Sequence, residues 1–367
     1  MSKFLPKIPA KLVLQDGTIF NGFAAGLVGT TIGELCFNTG MTGYQEIFTD
    51  PSYYGQIIIP TNVHIGNYGI KYDEDESNSI KIKGLIVKKF TNAYSRLNGD
   101  ESLQDYLIRS KLVAISDIDT RALVQHIRDH GAQNGIISSE NLNVDSLKEL
   151  LTQAPDMNGL ELSSKVSTPI AYSKGNDSSP IRIAAYDYGI KKNILQCMES
   201  RGAYIKVFPA QTPLTIVKEF NPTGYFLSNG PGDPAAMTYA IDTVREILNE
   251  DKPLFGICLG IQLLGLAAGI TTYKMHHGHR GLNHPVKNIE TNYCEITSQN
   301  HGFTLNENEC NNNPDVVVTH INLNDQSIEG IRLNSKKAFS VQYHPESSPG
   351  PHDSRYLFDQ FFKLMHN

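Results

Sequence analysis

Two patterns of apolar and polar positions follow one another along the chain. In the first half, short alternating runs are broken by glycine. Lys11-Leu-Val-Leu-Gln-Asp-Gly-Thr-Ile-Phe20 predicts a strand, a turn at Asp16-Gly17 and a returning strand. The glycine-rich stretch from Gly22 to Gly43 predicts more sheet joined by tight turns. Asp119-Thr120 ahead of Arg121-Ala-Leu-Val-Gln-His-Ile-Arg128 predicts a capped helix closed by Gly131, and Val144 to Leu151 predicts another. Asp73-Glu-Asp-Glu76 reads as a solvated acidic loop. Between Ser163 and Pro180 the periodicity fades into serine, proline and glycine, which marks a linker.

Beyond it, strands and helices alternate. Strands are predicted at Ile181–Tyr186, Tyr204–Phe208, Tyr225–Leu227 and Pro253–Ile257. Between and after them come helices over Lys191–Gly202, from near Pro213, over Ile241–Asn249 and over Leu259–Ala268. That alternation implies an open, mostly parallel α/β sheet covered on both faces. Tyr293 to Tyr343 is rich in strands, clearest at Val316–Thr319 and Ala338–Gln342, and an amphipathic helix over Tyr356–Met365 closes the chain. The expected division is therefore 1–180, a β-containing domain with a linker over 163–180, and 181–367, an α/β domain.

Composition narrows the chemistry by exclusion. The 367 residues are 40% hydrophobic and 19% charged, an ordinary globular balance. A net charge of −6 argues against nucleic acid or an anionic membrane as partner. The five cysteines include no Cys-x-x-Cys pair, which points to a reducing, cytoplasmic setting. No long apolar run or signal core stands out, the segment from Met1 to Pro9 included.

Three segments carry candidate chemistry. Gly256-Ile-Cys258-Leu-Gly260, between a buried strand and a helix, fits a strained nucleophile elbow. There the Cys258 sulfur would lie at a helix N-terminus, where the dipole favours thiolate. His344-Pro-Glu346 offers a base and its orienter, because positions i and i+2 of an extended segment face the same way. Leu227-Ser-Asn-Gly230-Pro-Gly232-Asp-Pro234 follows a predicted parallel strand, the edge where open α/β sheets bind ligands. Each has a plainer alternative: a core cysteine, a surface turn and an ordinary connection. His276, His277, His279 and His284 resemble a metal site, but Lys274, Arg280 and Lys287 surround them and no acid lies among them. The expectation is no metal. No phosphate-binding glycine loop with a following Lys-Ser/Thr is present, so no cofactor is expected in this chain.

Taken together, the elbow, the His-Pro-Glu and the Asn-Gly-Pro-Gly loop resemble the class I, triad-type glutamine amidotransferases. The first half narrows the likeness. Phe37-Asn-Thr-Gly-Met-Thr-Gly-Tyr-Gln-Glu-Ile47, Asp117-Ile-Asp-Thr-Arg121 and Gly131-Ala-Gln-Asn-Gly135 resemble the carbamoyl phosphate synthase small-subunit family. In the second half, Asn283-His-Pro-Val286 and Ser348-Pro-Gly-Pro-His-Asp353 do so as well, and the likeness is collinear from about Lys11 onward.

The resemblance implies Cys258 as nucleophile, His344 as general base and acid, and Glu346 as its orienter. It implies a pocket for L-glutamine at Gly230, Gly232, Leu259, Gln262, Asn300, Gly302 and Phe303, with Gly40 a weaker member. Gly40 stands where the family often has a serine, so only a backbone contact remains, and Ile261 stands where some relatives have histidine. The partner implied is a carbamoyl phosphate synthase large subunit, carrying ATP and Mg and making carbamoyl phosphate for arginine or pyrimidine synthesis. Two other readings stay open on the sequence. One is a free-standing γ-glutamyl cysteine hydrolase, the other a non-catalytic scaffold with the same fold.

Overall fold

The computed structural model describes residues 7–366. The start of the chain read for a signal core, residues 1–6, lies outside them. The chain forms two compact units, residues 1–157 and 158–367.

In the first unit the elements run β1 (Pro9–Leu14), β2 (Ile19–Gly26), β3 (Thr30–Asn38), α1 (Tyr44–Thr49), β4 (Gln56–Pro60), β5 (His64–Ile65), β6 (Gly84–Ile86) and β7 (Lys89–Phe90). There follow α2 (Leu103–Arg109), β8 (Val113–Ser116), α3 (Thr120–His130), β9 (Asn134–Ser138) and α4 (Val144–Thr152). The strands close a barrel in the order β1-β2-β8-β6-β4-β3-β9, while β5 and β7 pair separately.

Alternation builds this barrel. Leu12, Leu14, Leu35, Ile57, Ile59, Ile86, Ile115 and Ile137 share one apolar cluster. Their neighbours Cys36, Ile58, Leu85 and Ala114 pack under α1 and α2, and Val13 and Ile136 pack under α4. The predicted hairpin is β1–β2, with Leu12 opposite Phe20. The predicted cap holds too, with Asp119 accepting from the Ala122 amide and Gly131 closing α3 at φ 91°. The acidic run is less solvated than its composition suggests. Glu74 pairs with Arg96, Asp75 accepts from Gln45 and Tyr106, and Glu76 is buried. Partners distant in sequence override the run's local character.

The second unit begins earlier than the composition suggests. The serine-rich segment is not a linker: it contributes α5 (Ser163–Val166) and β10 (Tyr172–Lys174), an edge strand antiparallel to its neighbour. Polar, proline-bearing sequence suits an edge strand as well as a loop. After it come β11 (Arg182–Asp187), α6 (Lys192–Glu199), β12 (Tyr204–Pro209), α7 (Leu214–Lys218), β13 (Gly224–Leu227), α8 (Thr238–Leu248), β14 (Leu254–Ile257) and α9 (Leu259–Ala267). The unit ends with β15 (Thr272–Asn288), β16 (Cys294–Leu305), α10 (Glu307–Asn312), β17 (Val316–Asn322), β18 (Ile328–Leu333), β19 (Ala338–Val341) and α11 (Tyr356–His366).

One sheet runs β10-β12-β11-β13-β14-β19-β18-β17-β15-β16. Parallel pairing is confined to β12-β11-β13-β14-β19, and β19 through β16 pair antiparallel. The expectation of a mostly parallel sheet holds only for this middle, because crossover helices stop at α9 and later strands are joined by shorter connections. Successive residues of β11 face opposite layers. Ala184 and Tyr186 join α7, α8 and α9, whereas Ile183 and Ala185 join α6 and α11. Among the described residues, no helix is long and apolar enough to cross a membrane.

Phe255 anchors the second layer. Its ring stacks on Phe339 at 4.6 Å and meets Phe226, Phe358 and Phe361. Phe255→Ala is expected to cost about 3–5 kcal/mol, seen as a lower urea midpoint for loss of structure.

Candidate active site

Strand β14 delivers Cys258 to the N-terminal end of α9 in an unusual conformation, φ 56° and ψ −101°. A side chain in that region is strained, and neighbouring contacts hold it there. The Cys258 amide donates to the Val341 carbonyl at 2.8 Å, which ties the elbow to β19. Two residues on, a Cβ at Gly260 would stand 2.6 Å from the Leu227 carbonyl, so only glycine lets α9 approach β13 this closely. Cys258 is buried, and its sulfur lies 3.4 Å from the Asn300 carbonyl oxygen.

His344 and Glu346 follow β19, and the His344 amide donates to the Ser298 carbonyl on β16. Nδ1 of His344 lies 2.8 Å from Glu346 Oε1, as the i, i+2 spacing predicts. With Nδ1 on the carboxylate, Nε2 is left for the reacting centre. That nitrogen is buried without a well-aligned hydrogen bond. Burial alone would lower the imidazole pKa, but the Glu346 charge and the nearby Cys258 outweigh it and lift it to about 10.

A buried carboxylate needs compensation, and sequence reasoning missed its source. Lys191, at the start of α6 and itself buried, places Nζ 2.9 Å from Glu346 Oε1. Burial pushes the Glu346 pKa up, yet Lys191 and then His344 hold it at about 2. Lys191 Nζ also donates to the Ser347 carbonyl, and Asn193 Nδ2 donates to that of Glu346. The available signal was electrostatic, since a lysine at a helix N-terminus opposes the dipole and needs another reason to be there.

The remaining candidates fall into two groups. Gln262, on the first turn of α9, donates to the Phe303 carbonyl at 2.9 Å and to Gln342 Oε1 at 3.2 Å. Asn300, Gly302 and Phe303 lie on β16, the strand whose Asn300 carbonyl faces Cys258. Leu259 is the first residue of α9, so its N–H has no intrahelical acceptor. Gly230 sits against the Leu259 side chain, while Gly232 bridges to Glu161 beside Leu160. Gly40 belongs to the other unit, and its amide is already committed to Asn38 Oδ1 at 2.7 Å. The one backbone donor expected of that position is therefore engaged locally. Of the histidine run, His279 turns inward against Asp325 and Glu329. His279, His301 and Glu329 offer ligand atoms within 4.8 Å of one another.

The second unit thus holds an activated-nucleophile arrangement of the glutamine amidotransferase class. Residues 184–364 match the class-I glutamine amidotransferase family. Residues 12–137 match the carbamoyl-phosphate synthase small chain, CPSase domain. The chain is 48% identical to a carbamoyl phosphate synthase small chain of Chlorobaculum tepidum, over 98% of this chain and 99% of that one. The Synechococcus protein of that name is 47% identical, over 97% and 93% of the two chains. The Escherichia coli protein is 46% identical, over 97% of each. The chain belongs to the carbamoyl phosphate synthase small chain family.

The charge relation of Lys191 and Glu346 fixes a pH response. A carboxylate whose pKa is depressed contributes while ionised and fails as pH falls through that value. Lys191→Met removes the depressing charge and leaves the burial. The acid-side loss of kcat/KM for glutamine should therefore move to higher pH, measured as a pH–rate profile.

Proposed function

We propose that this chain hydrolyses L-glutamine to glutamate and ammonia, with Cys258, His344 and Glu346 as its catalytic residues, and passes the ammonia to a large subunit. The observation that carries this is the Cys258 elbow beside a buried His344–Glu346 pair. Membership of a small-chain family with a class-I glutamine amidotransferase domain supports glutamine as substrate and a large subunit as partner.

Cys258 Sγ attacks the side-chain amide carbon, and its proton goes to His344 Nε2. Leu259, at the head of α9, and Gly230 are suited to donate their N–H groups to the oxyanion that forms, each such donor being worth about 3 kcal/mol of transition-state stabilisation. His344 then protonates the departing nitrogen, the C–N bond breaks and ammonia leaves a γ-glutamyl thioester. Water attacks the thioester carbonyl with His344 as base, releasing glutamate and restoring the thiol. Glu346 stabilises the imidazolium at each stage. Gln262, Asn300, Gly302 and Phe303 shape the glutamine pocket, with Gly232 at its margin.

The large subunit would combine ammonia with bicarbonate, using ATP and Mg, to give carbamoyl phosphate for arginine or pyrimidine synthesis. No cofactor is assigned to this chain. A cytoplasmic setting agrees with five cysteines that are all free thiols.

Cys258→Ser, assembled with the large subunit, should lose glutamine-dependent carbamoyl phosphate synthesis by about a thousandfold or more and keep synthesis from added ammonia. Glutamine-dependent synthesis at the unmutated rate would refute the assignment.

A further inference from the structure

Strand β16 turns Asn300 to one face and Gln299 and His301 to the other. On that second face lies a buried polar chain that the chemistry above does not use. It begins at Asp325, between β17 and β18, whose carboxylate lies 2.8 Å from His279 Nε2. His279 Nδ1 faces Gln299 Oε1 at 3.1 Å and Glu329 Oε1 at 3.5 Å. Gln299 Nε2 donates to Glu329 Oε1 and Thr297 Oγ1, which fixes the direction of its amide. Gln299 Oε1 then meets His301 Nε2 at 3.0 Å, and His301 Nδ1 meets the Phe303 carbonyl at 2.9 Å. That carbonyl is the one Gln262 holds from α9.

Proton counting gives this chain a direction. Both nitrogens of His279 face oxygen atoms, and two of these belong to carboxylates, Asp325 and Glu329, whose charges favour the imidazolium over the neutral ring. His301 also has an oxygen at each nitrogen, but burial and the neighbouring His279 charge push its pKa well down. The neutral His301 ring can donate to only one of its two acceptors. Whether that proton holds the Phe303 carbonyl therefore depends on Gln299, and Gln299 is oriented by His279 and Glu329.

We propose that His279 is a positioning residue for glutamine binding, setting the Phe303 edge of the pocket through Gln299 and His301. This rests on reading Asn300, Gly302 and Phe303 as pocket wall. The groups facing His279 are Asp325, Glu329 on β18, His301 on β16 and His284 on β15. Burial lowers the His279 pKa, but Asp325 and Glu329 outweigh it and raise it to about 9. A raised pKa means the clamp is complete at neutral pH and is lost as pH climbs through that value.

The test uses His279→Gln and Asp325→Asn, each assembled with the large subunit. Loss of a charged hydrogen bond should raise the glutamine KM about tenfold, with kcat little changed and ammonia-dependent synthesis intact. In Asp325→Asn the rise of KM at alkaline pH should begin at lower pH than in the unmutated protein. Should His279→Gln fail to fold, seen as loss of its far-UV circular dichroism and of co-purification with the large subunit, Asp325→Asn decides, since the Asp325 side chain is partly exposed. An unchanged KM in Asp325→Asn overturns the proposal, as does a fall in kcat at constant KM. So does a bound metal whose removal by a chelator raises KM in the unmutated protein, because His279 would then be a ligand. Such failures, with Cys258→Ser behaving as expected, strike this inference and leave the glutaminase reading standing.

Discussion

Glu346 has no exposed surface, and burying that carboxylate constrains everything around it. Removing an ionised carboxylate from water costs several kcal/mol unless opposite charge and hydrogen bonds replace the solvent. Here the replacements come from two places in the chain: Lys191 at the head of α6, and His344 two residues upstream. Lys191 Nζ and Asn193 Nδ2 also bind the carbonyls of Ser347 and Glu346, so the loop after β19 is pinned to α6 by the same groups that neutralise it. Holding His344 in one orientation follows from that pinning. On a free loop the imidazole would spread over rotamers and lose the alignment that the proposed proton transfer requires.

Cys258, the proposed nucleophile, is fixed by a different kind of constraint. The left-handed backbone of Cys258 costs about 1–3 kcal/mol, and such strain persists only where surroundings over-determine it. They do so here through the bond to Val341 and the close packing of α9 on β13 at Gly260. Because β14 and β19 are parallel neighbours, Cys258 and His344 emerge at the same edge of the sheet. The charge clamp and the strained elbow are thus independent devices, brought to one place by strand order.

That division explains what could be read in advance. The elbow, the His-Pro-Glu pair and the alternation of strands and helices are written in residues adjacent or two apart, where covalent geometry carries the message. Lys191 shows locally only as a lysine set against the helix dipole; its partner Glu346 lies 155 positions away in sequence, so no local pattern joins it to the site. The same holds for His279, which stands in a run without acids, whereas its partners Asp325, between β17 and β18, and Glu329, on β18, lie 46 and 50 positions further along the chain. The unit boundary was misplaced because polar, proline-bearing sequence describes both a linker and the edge strand β10. Composition shows that a segment is hydrophilic and does not show whether its backbone is paired.

Much of the proposed pocket consists of backbone. At Gly230 a Cβ would stand 2.2 Å from the Tyr188 carbonyl, so that position can present only main-chain atoms. The Asn300 and Phe303 carbonyls face Cys258 and Gln262, again as main chain. A site made of peptide groups cannot be tuned by exchanging the side chains that touch the ligand. It is tuned by whatever fixes those peptide groups, which here means Gln262 on one side of β16 and the His301–Gln299–His279 chain on the other. Substitutions that never meet glutamine should therefore change its affinity more readily than the rate at which bound glutamine reacts.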